Sequence, residues 1–208
     1  MVVNLNIQAD IIDIKTDNPQ QDDIFLVDTN VWFWQTYTKN AGSGANASQV
    51  SIYLTYLNQA LVNGATLTYS GLILAELAHI IERTEYKIYM QSHGHLPLKE
   101  YRHNDLNERM NVVAEVQSAW SQVKALAVPV NLTVDDATTD AALNRFQTQA
   151  VDGYDLLLLE AISRAGAGKI QIITHDMDYA VVPGIQVFTS NNNVIQAANI
   201  QKKLSASR

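Results

Sequence analysis

Short apolar runs alternate along this chain with longer stretches whose apolar residues recur at helical spacing. Ile24-Phe25-Leu26-Val27 runs four apolar residues without a polar interruption and stops at Asp28. A continuous run of that kind suits a strand buried on both faces, as in the middle of a parallel sheet. Thr66-Leu67-Thr68-Tyr69, Val128-Pro129-Val130 with Leu132, Ile170-Gln171-Ile172-Ile173-Thr174 and residues 185–188 read as further strands. Between them lie helical patterns. Val31, Trp32, Phe33, Trp34 and Tyr37 make a short aromatic helix, and 48–62 carries Val50, Tyr53, Leu54, Leu57 and Leu61 before stopping at Asn63-Gly64. Ser70 caps an apolar helix over 72–81. Residues 106–123 place Leu106, Met110, Val113, Val116, Trp120 and Val123 on one face.

Three more helices complete the pattern. Thr133 with Asp135 and Asp136 opens one carrying Ala141, Ala142, Leu143 and Phe146. Asp152-Gly153-Tyr154-Asp155 opens the next, which stops at Gly166 and Gly168; Asn191 onward starts the last, with a frayed tail over 202–208. Strands that alternate with helices imply a parallel sheet, so the expected fold is a three-layer α/β/α sandwich with about five central strands.

Two stretches stand outside that alternation. Residues 1–23, rich in aspartate, read as an N-terminal extension in which Ile11-Ile12-Asp13-Ile14 could form a short edge strand. Residues 85–127 read as a helical insertion, with 86–90 extending the preceding helix and Ser92-His93-Gly94-His95-Leu96-Pro97 breaking it. Residues 41–46, rich in glycine and small side chains, read as a flexible loop soon after the first strand.

Composition narrows the function classes. The 208 residues are 47% hydrophobic, enough for a sizeable core. No cysteine is present, which excludes disulfide and thiolate chemistry and fits a reducing cytoplasm. No run of about 18 apolar residues could span a membrane, and the first residues lack a signal-peptide pattern. A net charge of −7 argues against a nucleic-acid coat protein but not against a nuclease, because a carboxylate metal site adds negative charge of its own.

Four acids stand out by position. Asp28 and Asp176 each end a buried strand, Glu76 lies in the second turn of the helix after the second strand, and Asp155 lies in the first turn of another helix. Strand C-termini and the N-termini of the following helices share one edge of a parallel sheet, so the four can converge there. Carboxylates so close repel one another unless a cation joins them. Hard oxygen ligands suit Mg²⁺ or Mn²⁺.

At these residues the chain resembles the PIN-domain nucleases, a family that includes toxin–antitoxin ribonucleases. The resemblance rests on Val27-Asp28-Thr29-Asn30, Ile73-Leu74-Ala75-Glu76-Leu77, Tyr154-Asp155-Leu156-Leu157-Leu158 and Thr174-His175-Asp176, in that order. It covers roughly residues 24–190, and on it the PIN-like domain would occupy 24–208. It implies a Mg²⁺- or Mn²⁺-dependent endoribonuclease with Asp28, Glu76, Asp155 and Asp176 as metal ligands and catalytic acids. The ions would activate water and clamp the phosphate through an in-line attack, leaving a 5′-phosphate and a 3′-hydroxyl. Thr29, Asn30, Thr174 and Asp178 would position water or substrate. RNA as substrate, a homodimer and an antitoxin-like protein partner are implied in the same way. The toxin members are much more compact than 208 residues, so the two additions set this chain apart from them.

Other readings compete. Asp28 and Asp155 can serve as helix caps, with Asp152 the better cap for the later helix, and His175 can be a mere spacer between Thr174 and Asp176. The aromatic helix at 31–37 is core or a dimer face before it is a base-stacking surface. His79, His93, His95 and His103 invite a zinc reading, but a solvated loop accounts for His93-Gly94-His95. Arg102 and Arg109 share a helix face and could grip phosphate; an ion pair within the protein, for instance with Asp105, is favoured. Two rival functions follow. One is a non-catalytic interaction protein of the same fold. The other is an aspartate-nucleophile phosphatase, which wants an acid where Asn30 stands.

Overall fold

The computed structural model describes residues 4–39, 46–164 and 169–205. Most of the 41–46 loop, the glycine stop at Gly166 and Gly168, and residues 206–208 lie outside them. Among the described residues six strands form one all-parallel sheet. They are β1 (Asp10–Asp13), β2 (Ile24–Val27), β3 (Thr66–Tyr69), β4 (Val128–Pro129), β5 (Gln171–Ile173) and β6 (Gln186–Thr189), in the order β1-β6-β5-β2-β3-β4.

The central strand is the one the apolar run marks. Phe25, Leu26 and Val27 are buried, and β2 pairs with β3 on one side and β5 on the other. From β2 the chain steps one way, to β3 and then β4; from β5 it steps the other way, to β6. Right-handed crossovers in opposite directions put their helices on opposite faces, giving three layers. On one side α1 (Thr29–Thr36), α2 (Ala47–Val62), α3 (Gly71–His93) and α5 (Leu106–Leu126) pack on one another; α6 (Asp136–Phe146) and α7 (Gly153–Arg164) form a separate pair. α8 (Asn192–Ile200) packs against β1. The reversal of direction falls between β2 and β5, and the C-terminal edge of that gap is where open α/β sheets hold ligands.

Six strands rather than about five arise because residues 10–13 join the sheet. β1 runs beside β6 from Asp10 opposite Gln186 to Asp13 opposite Thr189, with Ile11 and Ile12 buried. At the other edge, β4 ends in Pro129, whose missing N–H suits an edge strand.

The stretch 85–127 is continuous with the core rather than appended to it. α3 runs unbroken through residue 85 and ends at Gly94, whose φ of 82° a side chain would strain. A short helix that the sequence pattern did not mark follows, α4 (Leu98–Asn104). Tyr86, Tyr101 and Val112 bury one another in a small second core, while Ala119 and Val123 reach the main one. The C-terminal end of α1 is bolted to the same region: Tyr37 donates to Glu85 at 2.7 Å, and Lys39 bridges Glu85 and Glu115.

Two expectations need correction. The buried face of α5 is Val112, Ala119 and Val123, with Val116 half-buried, whereas Leu106 and Met110 are 74% and 69% exposed. α4 packs Tyr101 against this helix near its start, so its first two periodic apolar residues are turned outward. Arg102 and Arg109 pair within the protein, but with Glu82 of α3 rather than Asp105, which instead caps α5. Of the two readings of the aromatic helix, the core one holds: Val31 to Trp34 and Tyr37 are buried within the chain.

Phe25 meets Phe188 edge-on at 4.8 Å and Tyr56 at 6.0 Å in the middle of the sheet. Phe25→Ala should therefore cost about 3–5 kcal/mol in urea unfolding. Val62→Ala, at a side chain 85% exposed, should stay within about 0.5 kcal/mol.

Candidate active site

Asp28 follows the last residue of β2, and its surroundings are dictated by being there. Its backbone N–H still belongs to the sheet, donating to the Ile173 carbonyl at 3.1 Å. Its side chain, buried, caps α1 by accepting from the Thr29 N–H at 2.7 Å. The second carboxylate oxygen accepts from the Thr174 hydroxyl at 2.6 Å and from the Asn30 amide. Asp28 is thus the helix cap that one reading supposes, and it also joins the ends of β2 and β5 across the point where the chain reverses.

The other acids hang on neighbours of Asp28. Thr29 turns its hydroxyl to Glu76 of α3, donating at 2.5 Å. Thr174 accepts from the Asp176 N–H at 2.8 Å, and Asp176 in turn accepts from the Asp178 N–H at 3.0 Å, closing a tight turn into a short 3-10 helix at Asp178–Val181. Asn30 accepts from the His175 N–H at 3.4 Å. Asp155, buried in the first turn of α7, accepts a hydrogen bond from the hydroxyl of buried Tyr179. Asp152 caps α7 as expected, accepting from the N–H groups of Tyr154 and Asp155.

The electrostatics bind these acids into one cluster. Burial pushes the Asp28 carboxyl up to about 7, helped by the charges of Glu76 and Asp176, against the hydrogen bonds from Thr174 and Thr29. Burial likewise pushes Asp155 up to about 8; the Asp28 charge adds to the rise and the Tyr179 hydrogen bond opposes it. Glu76 is raised by burial and by Asp152 and Asp176, against Thr29 and a small contribution from exposed His79. Asp178 is raised by burial and by Asp176 and Asp152. Among the described residues, the causes that dominate these shifts include no lysine or arginine. Buried acids that raise one another with no basic partner are what a divalent cation would relieve.

The donors are all hard oxygens, so their chemistry fits Mg²⁺ or Mn²⁺. Among the described residues Glu76 Oε1 and Asp155 Oδ2 accept no hydrogen bond and remain open to a ligand role. The shell is not drawn together: among the described residues no group of three or more His, Cys, Asp or Glu side chains stands close enough to hold one ion. Each carboxylate is instead steered by a neutral donor, Thr174 and Asn30 for Asp28, Thr29 for Glu76 and Tyr179 for Asp155.

Two features escape a reading of the sequence. Tyr179 gives no signal beyond following Asp178, because its role depends on the 3-10 turn that aims it at α7. His175 is more than a spacer. Its ring packs on Trp34 and Tyr53 and meets the Gln49 amide at 2.8 Å, and burial lowers its pKa. His95 is exposed in the loop after α3, as expected, whereas His93 closes the last turn of that helix and stacks on Tyr89 at 4.4 Å.

No protein-family model matches the chain, and no curated protein matches it. Among solved structures it is similar to a chain in the crystal structure of VapBC2 from Rickettsia felis bound to a DNA fragment from their promoter. That similarity has 14% identity and a TM-score of 0.45, over 79% of this chain and 96% of that one. Among the described residues no helix is long and apolar enough to cross a membrane.

The raised carboxyls make stability depend on pH. In the folded state Asp28 and Asp155 keep protons up to about pH 7 and 8, whereas an unfolded aspartate loses its proton near 3.8. Folding binds the extra protons, so in chelator their contribution is complete below about pH 4 and is lost as pH rises through about 8. Thermal unfolding from pH 5 to 8 should show this loss, and Asp28→Asn should flatten the dependence relative to wild type. Parallel curves for the two proteins would mean that Asp28 is ionised throughout.

Proposed function

We propose that this chain is a PIN-like endoribonuclease that cleaves RNA phosphodiester bonds with the help of Mg²⁺ or Mn²⁺. The observation that carries the reading is a set of acids, 28, 76, 155 and 176, gathered on the edge of the sheet where the chain reverses direction, the first and third pushed up to about 7 and 8 with no basic neighbour. Their order and context in the sequence support it independently.

Asp28, Glu76, Asp155 and Asp176 would hold the ion. Bound there, it would supply a water of lowered pKa and charge on the phosphate oxygens at neutral pH. The chain's own part is positioning. Thr174 and the Thr29 N–H fix the Asp28 carboxylate, the Thr29 hydroxyl fixes Glu76, and Tyr179 fixes Asp155. Asn30 spans Asp28 and the His175 backbone and keeps the strand-to-helix turn rigid. Asp178 sits at the rim as an outer acid. Water oxygen bonds to phosphorus, the bond from phosphorus to the 3′ oxygen breaks, and that oxygen takes a proton. The products are a 5′-phosphate and a 3′-hydroxyl.

One observation favours a second reading, a binding protein of the same fold without catalysis. Every acid is already steered by a neutral donor, and no three close on one point. An assay of a mixed RNA pool with Mn²⁺, Mg²⁺ or EDTA separates the two. The nuclease reading expects cleavage that needs metal and falls more than about 100-fold in Asp28→Asn, beyond the usual cost of disturbing an outer-shell partner. Tyr179→Phe, which removes one such partner, should cost about 10–100-fold. No cleavage in any lane, with no Mn²⁺ binding by calorimetry, would establish the binding-protein reading instead.

A further inference from the structure

Beside the acids lies an open cleft of about 590 Å³, within the range of small-molecule sites, roughly 300–1,000 Å³. Asn30 and Asp176 form the wall it shares with the acid cluster; Gln49, His175, Asn192 and Asn193 are among the residues that form the rest. Among the described residues the lining is rich in amides and contains no lysine or arginine. Lys15 donates to Asn192 Oδ1 at 3.1 Å and reaches Asp13. Among the described residues an anionic guest would face Asp176 with no lysine or arginine in the lining, which favours a neutral guest.

Its polar groups are fixed but not used up. Asn191, buried, donates to the His175 carbonyl and accepts from the Asn193 N–H, locking the loop that carries the others. Gln49 spends its amide nitrogen on the His175 ring. Among the described residues its carbonyl oxygen, the Asn192 amide nitrogen and the whole side-chain amide of Asn193 make no hydrogen bond, leaving both donors and acceptors for a guest. Side-chain amides match the paired donors and acceptors on the edge of a nucleobase, and an imidazole offers a surface to stack on.

We propose that this cleft binds the base of a nucleotide next to the scissile phosphate, with Gln49 and Asn193 reading its edge and His175 stacking on it. This rests on the nuclease reading for its biological sense, but the binding step needs no metal and no cleavage. The contact between cleft and acids through Asn30 and Asp176 would set the distance between the base that is read and the bond that is cut.

The test uses the full chain, isotope-labelled, in EDTA, titrated separately with adenosine, guanosine, cytidine and uridine at millimolar concentration. The side-chain amide signals of Asn30, Gln49, Asn192 and Asn193 should shift with at least one nucleoside. Gln49→Ala and Asn193→Ala, both at partly or fully exposed positions, should weaken that binding roughly tenfold, the loss of about one hydrogen bond. The proposal is overturned if none of the four nucleosides moves these signals, or if binding is unchanged in both variants. Metal-dependent RNA cleavage by the same preparation reports on the nuclease reading separately. Nucleoside binding without cleavage would sink that reading and leave the cleft standing, and cleavage without nucleoside binding would do the reverse.

Discussion

A carboxylate at the end of a strand buried on both faces must be satisfied where it stands, and the way Asp28 is satisfied organises this molecule. It takes the Thr29 N–H that α1 leaves without an intrahelical partner, the hydroxyl that Thr174 brings from the end of β5, and the amide of Asn30. Hydrogen bonds to a charged group contribute about 1.5–3 kcal/mol each, while burying the charge costs several kcal/mol. Here burial wins: the carboxyl is pushed up to about 7 despite its donors. The arrangement secures the joint between β2 and β5 yet leaves its charge only partly compensated, and a cation would complete it.

The same constraint explains how acids separated by up to 148 positions (176 − 28) in the chain share one edge. Every strand runs in the same direction, so each strand's end and each following helix's start fall on one side. Glu76 arrives in α3, directly after β3, and Asp155 by the long return from β4 through α6 and α7 to β5. Thr29 and Thr174 each touch Asp28 and a second acidic residue. Substituting either therefore disturbs two acids at once, which makes their effects non-additive with those of the acids themselves.

What could be read from the sequence follows from how local each signal is. The β2 run, the β3 boundaries and the Asp152 cap depend on residues next to one another, and all stand in the structure as expected. Asp28 follows the end of β2, Glu76 lies in the second turn of α3 and Asp155 in the first turn of α7, as their local patterns indicate, but whether they share an ion depends on distances that no local pattern carries. What stayed hidden depends on partners distant in sequence. Leu106 and Met110 fit the periodic face of α5 as well as Val123 does, and only the packing of α4 decides which side is buried. Arg102 had an acid nearby in the chain and chose Glu82, twenty residues away, because a buried carboxylate gains more from a two-pronged guanidinium than an exposed one does. Tyr179 was invisible for the same reason: nothing local says that a tyrosine in a 3-10 turn will point at another helix.

The charge of the chain sharpens the functional question. With a net charge of −7 and no lysine or arginine among the described residues lining the cleft, this surface offers little long-range attraction to a polyanion. The arginines that might have supplied it, Arg102 and Arg109, are drawn onto Glu82. A substrate with a phosphate backbone would then have to be held by contacts that do not depend on charge, together with whatever cation sits among the acids. On the proposed reading, neutral amides that read a base and carboxylates that hold a metal would divide the work in that way. Recognition would then fall to the cleft and attraction to the ion, and an enzyme of this kind would gain its grip on the substrate only when both are engaged.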